Sequence, residues 1–121
     1  AAEPEMGELA YSLGLLLAEQ PGKLPEAVRY LQTAAKHSAD NPRVHYNLGL
    51  AYNNMGMTSE AIAVYKKTLS LESSYAPAYH NLALIYYHKK DYVQAIKYCD
   101  KAAELGLVNK KLLKVLEPHR E

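Results

Sequence analysis

The stretch His45-Tyr46-Asn47-Leu48-Gly49-Leu50-Ala51-Tyr52 returns 34 positions later as Tyr79-His80-Asn81-Leu82-Ala83-Leu84-Ile85-Tyr86. Asn47/Asn81, Leu48/Leu82, Leu50/Leu84 and Tyr52/Tyr86 are unchanged, and Ala61/Ala95, Ile62/Ile96, Lys67/Lys101 and Leu71/Leu105 continue the same offset. Self-similarity at this period marks stacked helical hairpins, in which each unit buries its apolar face only against its neighbours. Working outward, the units fall at about 7–41, 42–75 and 76–109, with a tail after them. Each reads as two helices joined by a tight turn.

Local signals fit that division. Asn41 suits an N-cap, with Pro42 at the first helical position. Val44, Leu48, Ala51, Tyr52 and Met55 follow the three-and-four spacing of a buried helix face. Gly56 is expected to break that helix and Thr58 or Ser59 to cap the next. Ala61, Ile62, Tyr65, Leu69 and Leu71 are expected to supply the second helix's buried side. Asp91 and Gln94 have capping-box spacing, and Gly106 suits a left-handed C-cap with Leu107 packing back. In the first unit Gly14 precedes Gly49 by 35 residues whereas Ala27 precedes Ala61 by 34, which places one extra residue in the turn around 20–23. Asn109 then caps a last helix, 110–117, ended by Pro118. Leu112, Leu113, Val115 and Leu116 would cover the open end of the stack, with Lys110, Lys111, Lys114, His119 and Arg120 on a solvated face.

These residues resemble the tetratricopeptide repeat, whose pattern is a large residue, Leu-Gly/Ala, Tyr, then Ala-x-x-x-aromatic-x-x-Ala. The middle unit carries Leu48-Gly49, Tyr52, Ala61 and Tyr65; the third Leu82-Ala83, Tyr86, Ala95 and Ala102; the first Leu13-Gly14, Leu17, Ala27, Leu31 and Ala34. Thr68, Cys99, Ser73 and Leu107 are mild departures. The resemblance implies an all-α fold, a right-handed α-α superhelix of three hairpins and a cap helix forming one domain over 1–121. Gly14, Gly49 and Ala83 are small where paired helices approach, and Ala27, Ala61 and Ala95 are expected to face them.

The resemblance also implies a groove lined by the first helix of each hairpin. Its expected residues are Tyr11 and Leu15 from the first unit, Arg43, Tyr46, Asn47, Leu50 and Asn54 from the second, and His80, Asn81, Leu84 and Tyr87 from the third. Glu8, Ser12, Glu19, Asn53 and His88 lie beside them. Leu15, Leu50 and Leu84 would form an apolar floor. Asn47 and Asn81 share a repeat position and would offer donor and acceptor to an extended peptide backbone. The expected role is an adaptor or scaffold binding a peptide or partner helix. Self-association through the stack ends is the alternative, as is the non-catalytic part of a larger enzyme or electron-transfer protein. One subgroup of the family clamps the carboxylates of heat-shock chaperone tails with basic residues. Of that pattern only Asn47 remains; Tyr11, Pro77 and Asn81 stand where cations belong, and Leu15 where a second Asn belongs. Chaperone tails are therefore not the expected partner.

Composition narrows the chemistry further. Fourteen basic and thirteen acidic residues leave a net charge of +1, which gives no global attraction to nucleic acid or an acidic membrane. Eleven Tyr stand against no Phe and no Trp, so the aromatic surface has polar tips suited to a wet groove. The one cysteine, Cys99, excludes an internal disulfide and sits at a core-facing spacing. His80 and His88 are eight residues apart, about 12 Å along a helix, and no pair of histidines has i,i+4 ligand spacing. No phosphate loop or carboxylate pair in an apolar setting appears, so no enzyme activity, cofactor or metal is expected. No apolar run reaches the ~18 residues of a membrane span, and no signal peptide opens the chain. A soluble fragment or processed protein is expected, its compartment unassigned and the cytoplasm favoured only slightly.

Overall fold

A computed structural model describes residues 4–120, and the described residues carry seven α-helices and one 3-10 turn. Two compact units divide the chain, 1–71 and 72–121.

The first unit holds α1 (Pro4–Ala18), α2 (Leu24–His37), α3 (Pro42–Asn54) and α4 (Thr58–Leu71). The turn at 19–23 is longer than that at 55–57, where the offset between Gly14/Gly49 and Ala27/Ala61 placed the extra residue. Short turns force α1 and α2, and then α3 and α4, to lie back against each other. Asn41 caps α3 by accepting from the Arg43 N–H at 3.0 Å. Gly56, at φ 76°, ends the α3 turn in the left-handed region, and the Met57 N–H returns to the Tyr52 carbonyl at 2.9 Å. That bond brings the chain directly into α4, whose first turn is closed by the Ala61 N–H on the Met57 carbonyl at 3.0 Å. Thr58 and Ser59 therefore lie inside the helix, and the expectation that either precedes it as a cap is corrected.

The core of this unit is Ala27, Val28, Leu31, Ala34, Val44, Leu48, Ala51, Tyr52, Ala61 and Tyr65. Thr68 is buried with them, its hydroxyl donating to the Val64 carbonyl at 2.9 Å. Ile62, Leu69 and Leu71 are only half-buried, and Met55 is exposed at the α3 terminus. Buried His45 occupies its expected packing position and donates from Nε2 to the Ala39 carbonyl at 2.9 Å.

The close approach inside the first two hairpins adds one contact to the sequence reading. A Cβ on Gly49 would lie 2.6 Å from Tyr65 Cε1, and one on Gly14 would lie 2.7 Å from Leu31 Cγ. The residue against each glycine is thus the one four positions after the expected alanine. A side chain one turn further on reaches back over the crossing point, because helical Cα–Cβ bonds tilt toward the N-terminus. Ala27 and Ala61 are buried without being that nearest neighbour.

The second unit holds α5 (Ala76–His88), α6 (Tyr92–Glu104), α7 (Lys110–Leu116) and a 3-10 turn (Glu117–His119). Asp91 caps α6 by accepting from the Gln94 N–H at 3.2 Å, and Asn109 caps α7 by accepting from Leu112 N–H at 3.0 Å. Gly106, at φ 101°, ends α6, with the Leu107 N–H on the Ala102 carbonyl at 2.9 Å. Ala83, Ala95, Cys99, Leu112 and Leu116 form the core cluster. Here Ala83 and Cys99 stand at the repeat positions of Gly49 and Tyr65: the second member is smaller, and the first has a methyl.

The tail also departs from expectation. α7 ends at Leu116, and Pro118 sits in a 3-10 turn closed by the Arg120 N–H on the Glu117 carbonyl at 3.2 Å. Proline cannot donate an α-helical bond, but its φ suits a first helical turn. His119 is exposed, as expected of a solvated face, whereas Arg120 is half-buried. Arg120 clasps Asp100 through two bonds of 2.6 and 3.0 Å, and His119 stacks on Tyr92 with ring centroids 3.6 Å apart. Leu112 and Leu116 cover the end of the core as expected, whereas Val115 is exposed.

Candidate peptide-binding surface

The side of α3 left outside the core carries Arg43, Tyr46, Asn47, Leu50 and Asn54, a stripe at helical spacing. Arg43 and Asn54 are exposed, and Tyr46, Asn47 and Leu50 are half-buried. On α1, Tyr11 and Leu15 lie four residues apart and are also half-buried. Asn47 joins the two stripes: its Nδ2 donates to the Tyr11 hydroxyl at 2.8 Å and to the Arg43 carbonyl at 3.0 Å. Both amide hydrogens are thereby committed within the unit. The expectation that Asn47 offers donors to a ligand is corrected; its Oδ1 is the part left to accept a ligand N–H. The sequence contains both residues, but no local spacing reveals a bond spanning 36 positions.

Tyr46 rests on the core. Its ring centroid lies 5.7 Å from that of Tyr65, tilted by 44°. Tyr65 is fully buried, and among the described residues its hydroxyl has no hydrogen-bond partner. Burial pushes that hydroxyl's pKa well up, and the neighbouring Tyr46 adds to the shift. The Gly49–Tyr65 crossing therefore supports the ring on which the outer Tyr46 lies.

In the second unit α5 places His80, Asn81, Leu84 and Tyr87 half-buried, and His88 exposed. His80 Nε2 lies 3.0 Å from Asn109 Nδ2, a bond in which the amide donates and the imidazole accepts. Burial lowers the His80 pKa, which favours the neutral ring this bond needs. His80 thus fastens the start of α7 to α5, a role the sequence reading missed. Tyr87 lies 6.0 Å from Tyr92 and 5.5 Å from His88, ring centroid to ring centroid.

Other reactive groups are built into the fold. Cys99 is buried, and burial raises its thiol pKa, which leaves it protonated and unreactive at neutral pH. Asp100 is held below the usual carboxylate range, chiefly by its bonds from Arg120. Among the described residues no group of three or more His, Cys, Asp or Glu is placed to hold a metal ion. None of the described helices is long and apolar enough to cross a membrane.

Comparison with known proteins accords with this architecture. A TPR repeat model matches residues 14–56, and a tetratricopeptide repeat model matches 42–75 and 76–105. A search of curated proteins by sequence found no match. Among solved structures, MamA is 31% identical, with a TM-score of 0.80 over 85% of this chain and 60% of its own. YrrB, described as a TPR protein with an unusual peptide-binding site, is 25% identical with a TM-score of 0.80 over 90% of this chain and 56% of its own. The chain thus spans less than two thirds of both. The first TPR of Spaghetti (RPAP3), solved with the HSP90 peptide SRMEEVD, shares the fold at TM-score 0.84 and 20% identity over 97% of this chain and 92% of its own. With its all-α hairpins and a repeat model matched through two successive units, the chain belongs to the tetratricopeptide repeat family.

Proposed function

We propose that the chain is a non-catalytic interaction module that takes an extended peptide or partner helix on the first helices of its hairpins. The observation that carries this reading is the α1–α3 surface. A polar row fixed by the Asn47–Tyr11 bond runs beside half-exposed Leu15, Leu50 and Tyr46. That combination supplies apolar anchor sites and a fixed backbone acceptor, the two needs of peptide recognition. In the second unit, α5 offers a peptide its own half-exposed His80, Asn81, Leu84 and Tyr87. Peptide binding by YrrB supports the general role. The HSP90 peptide bound by the Spaghetti domain is not the proposed ligand here, because Tyr11, Pro77 and Asn81 replace the cations a terminal carboxylate would pair with. Nucleic acid and membrane are likewise not proposed partners.

Selection of phage-displayed peptides on the full chain, followed by affinity measurement, tests this. Leu50→Asp should weaken a selected peptide at least ~10-fold by placing a charge on the apolar strip. Undiminished binding by that variant would remove the α1–α3 surface from the function.

One observation favours a second reading, association with another copy or with chain preceding α1. Met6, Leu9 and Leu16 of α1 are 51%, 58% and 61% exposed. Light scattering should then show mass rising with concentration, and Leu9→Lys with Leu16→Lys should abolish the rise. A constant monomer mass contradicts self-association.

A further inference from the structure

α7 meets α5 through the His80–Asn109 bond, and beyond that bond a cleft of about 260 Å³ opens between the two helices. Leu84, Tyr87 and His88 line one side; Lys111, Leu112 and Val115 line the other. Its floor is apolar: Leu112 is buried, Leu84 and Tyr87 are half-buried, and Val115 stands at the mouth, 42% exposed. The volume is below the roughly 300–1,000 Å³ of sites for whole small molecules and suits one or two inserted side chains.

Lys111 is the one Lys, Arg, Asp or Glu among the residues that line the cleft. Lys111 lines the cleft, with Lys110 and Lys114 on the same helix and Lys89 and Lys90 immediately after α5, all exposed. No carboxylate lines it. Four acids of this unit are engaged elsewhere: Asp91 caps α6, Asp100 and Glu117 pair with Arg120, and Glu104 pairs with Lys101. The unit from 72 onward carries eight Lys and Arg against six Asp and Glu, whereas residues 1–71 carry six against seven. The near-neutral total therefore conceals a positive second unit. Asn109 has its Oδ1 on the Leu112 N–H and one Nδ2 hydrogen on His80.

From this cleft we infer the chemistry of the ligand: a peptide that inserts a Leu-sized or aromatic side chain against Leu84, Tyr87 and Leu112 and carries an adjacent carboxylate toward Lys111. This inference rests on the reading that α5 takes part in peptide binding, and it adds the residue class recognised there. The apolar anchor gains from leaving water, while the carboxylate gives orientation and charge selectivity.

The test is an NMR titration of the ¹⁵N-labelled full chain with two blocked dipeptides, Ac-Leu-Glu-NH2 and its neutral counterpart Ac-Leu-Gln-NH2. The expected result is shifts in 84–88 and 109–115 at about 10 mM peptide, with the acidic peptide binding about threefold tighter. Lys111→Gln, an exposed change outside the core, should bring the affinities of the acidic and the neutral peptide together. Val115→Lys should weaken both peptides. Equal binding of the two peptides by the wild type, or no shifts at 84–88 and 109–115, overturns the inference. Shifts confined to α1 and α3 also overturn it, while leaving the wider peptide-binding reading intact. Absence of shifts on all three helices, combined with failure of peptide selection, removes both.

Discussion

The Gly49–Tyr65 crossing makes a quantitative prediction, because the second unit contains its natural counterpart. An alanine methyl at position 49 would lie 2.6 Å from Tyr65 Cε1 and 2.8 Å from Cδ1. Carbon atoms in contact prefer about 3.5–4.0 Å, so the ring would have to retreat by roughly 1 Å. It has little room: Tyr65 is fully buried, and its outer neighbour Tyr46 lies against it. Overpacking of this kind costs about 1–3 kcal/mol, and replacing a mid-helix glycine by alanine returns about 0.8–1 kcal/mol. Gly49→Ala should therefore destabilise the chain by up to about 2 kcal/mol. At the matching positions of the second unit, Ala83 coexists with the smaller Cys99, both buried. In a Tyr65→Cys background, itself costing about 3 kcal/mol as a cavity, Gly49→Ala should become stabilising by about 0.5–1 kcal/mol. Urea unfolding of the four proteins by far-ultraviolet circular dichroism measures the coupling. Equal effects of Gly49→Ala in both backgrounds, or a gain in the wild type, would refute the steric argument.

Three further outcomes follow from local geometry. Lys90 has φ 65° at the repeat position held by Gly22 and Gly56, at φ 78° and 76°, so Lys90→Gly should raise stability by about 0.5–1 kcal/mol in urea unfolding. Tyr65→Phe removes a buried hydroxyl that has no partner among the described residues and should stabilise by about 1 kcal/mol at neutral pH. Because the folded-state pKa of Tyr65 is raised, its unfolded form loses a proton first; stability should fall as pH rises above about 10, and Tyr65→Phe should make that fall shallower. Asp100 has the opposite sign: its depressed folded-state pKa contributes stability that is present at neutral pH and lost as pH falls through the acidic range. Arg120→Gln should flatten that acid limb by less than about 1 kcal/mol, since the pair is partly exposed, as chemical unfolding across pH can show.

Periodicity made the helices legible because each repeat repeats its own punctuation. Asn41, Asp91 and Asn109 cap the helices they precede, and Gly56 and Gly106 take the left-handed turns assigned to them. Such signals act within a few residues, so one sequence carries them openly. The missed features depend on distance along the chain. Arg120 reaches back to Asp100, His119 to Tyr92, and Asn109 to His80, and nothing in the spacing of those residues announces a contact. The same holds for the candidate surface. Repeat position identified Tyr11, Asn47 and Leu50 as outward-facing, but only the fold showed Asn47 bonded to Tyr11. Helix tilt explains the closest neighbour of Gly49: the matching alanine was recognisable as buried, whereas the nearest contact depends on where the next turn's side chain reaches.

In the proposed function a peptide ligand lies along α1 and α3. The most direct test is amide-shift mapping of the ¹⁵N-labelled chain with a phage-selected peptide. The largest shifts are expected at Tyr11, Leu15, Tyr46, Asn47 and Leu50, with α2 and α4 little changed. Shifts concentrated on the outward residues of α2 or α4, with α1 and α3 silent, would contradict it.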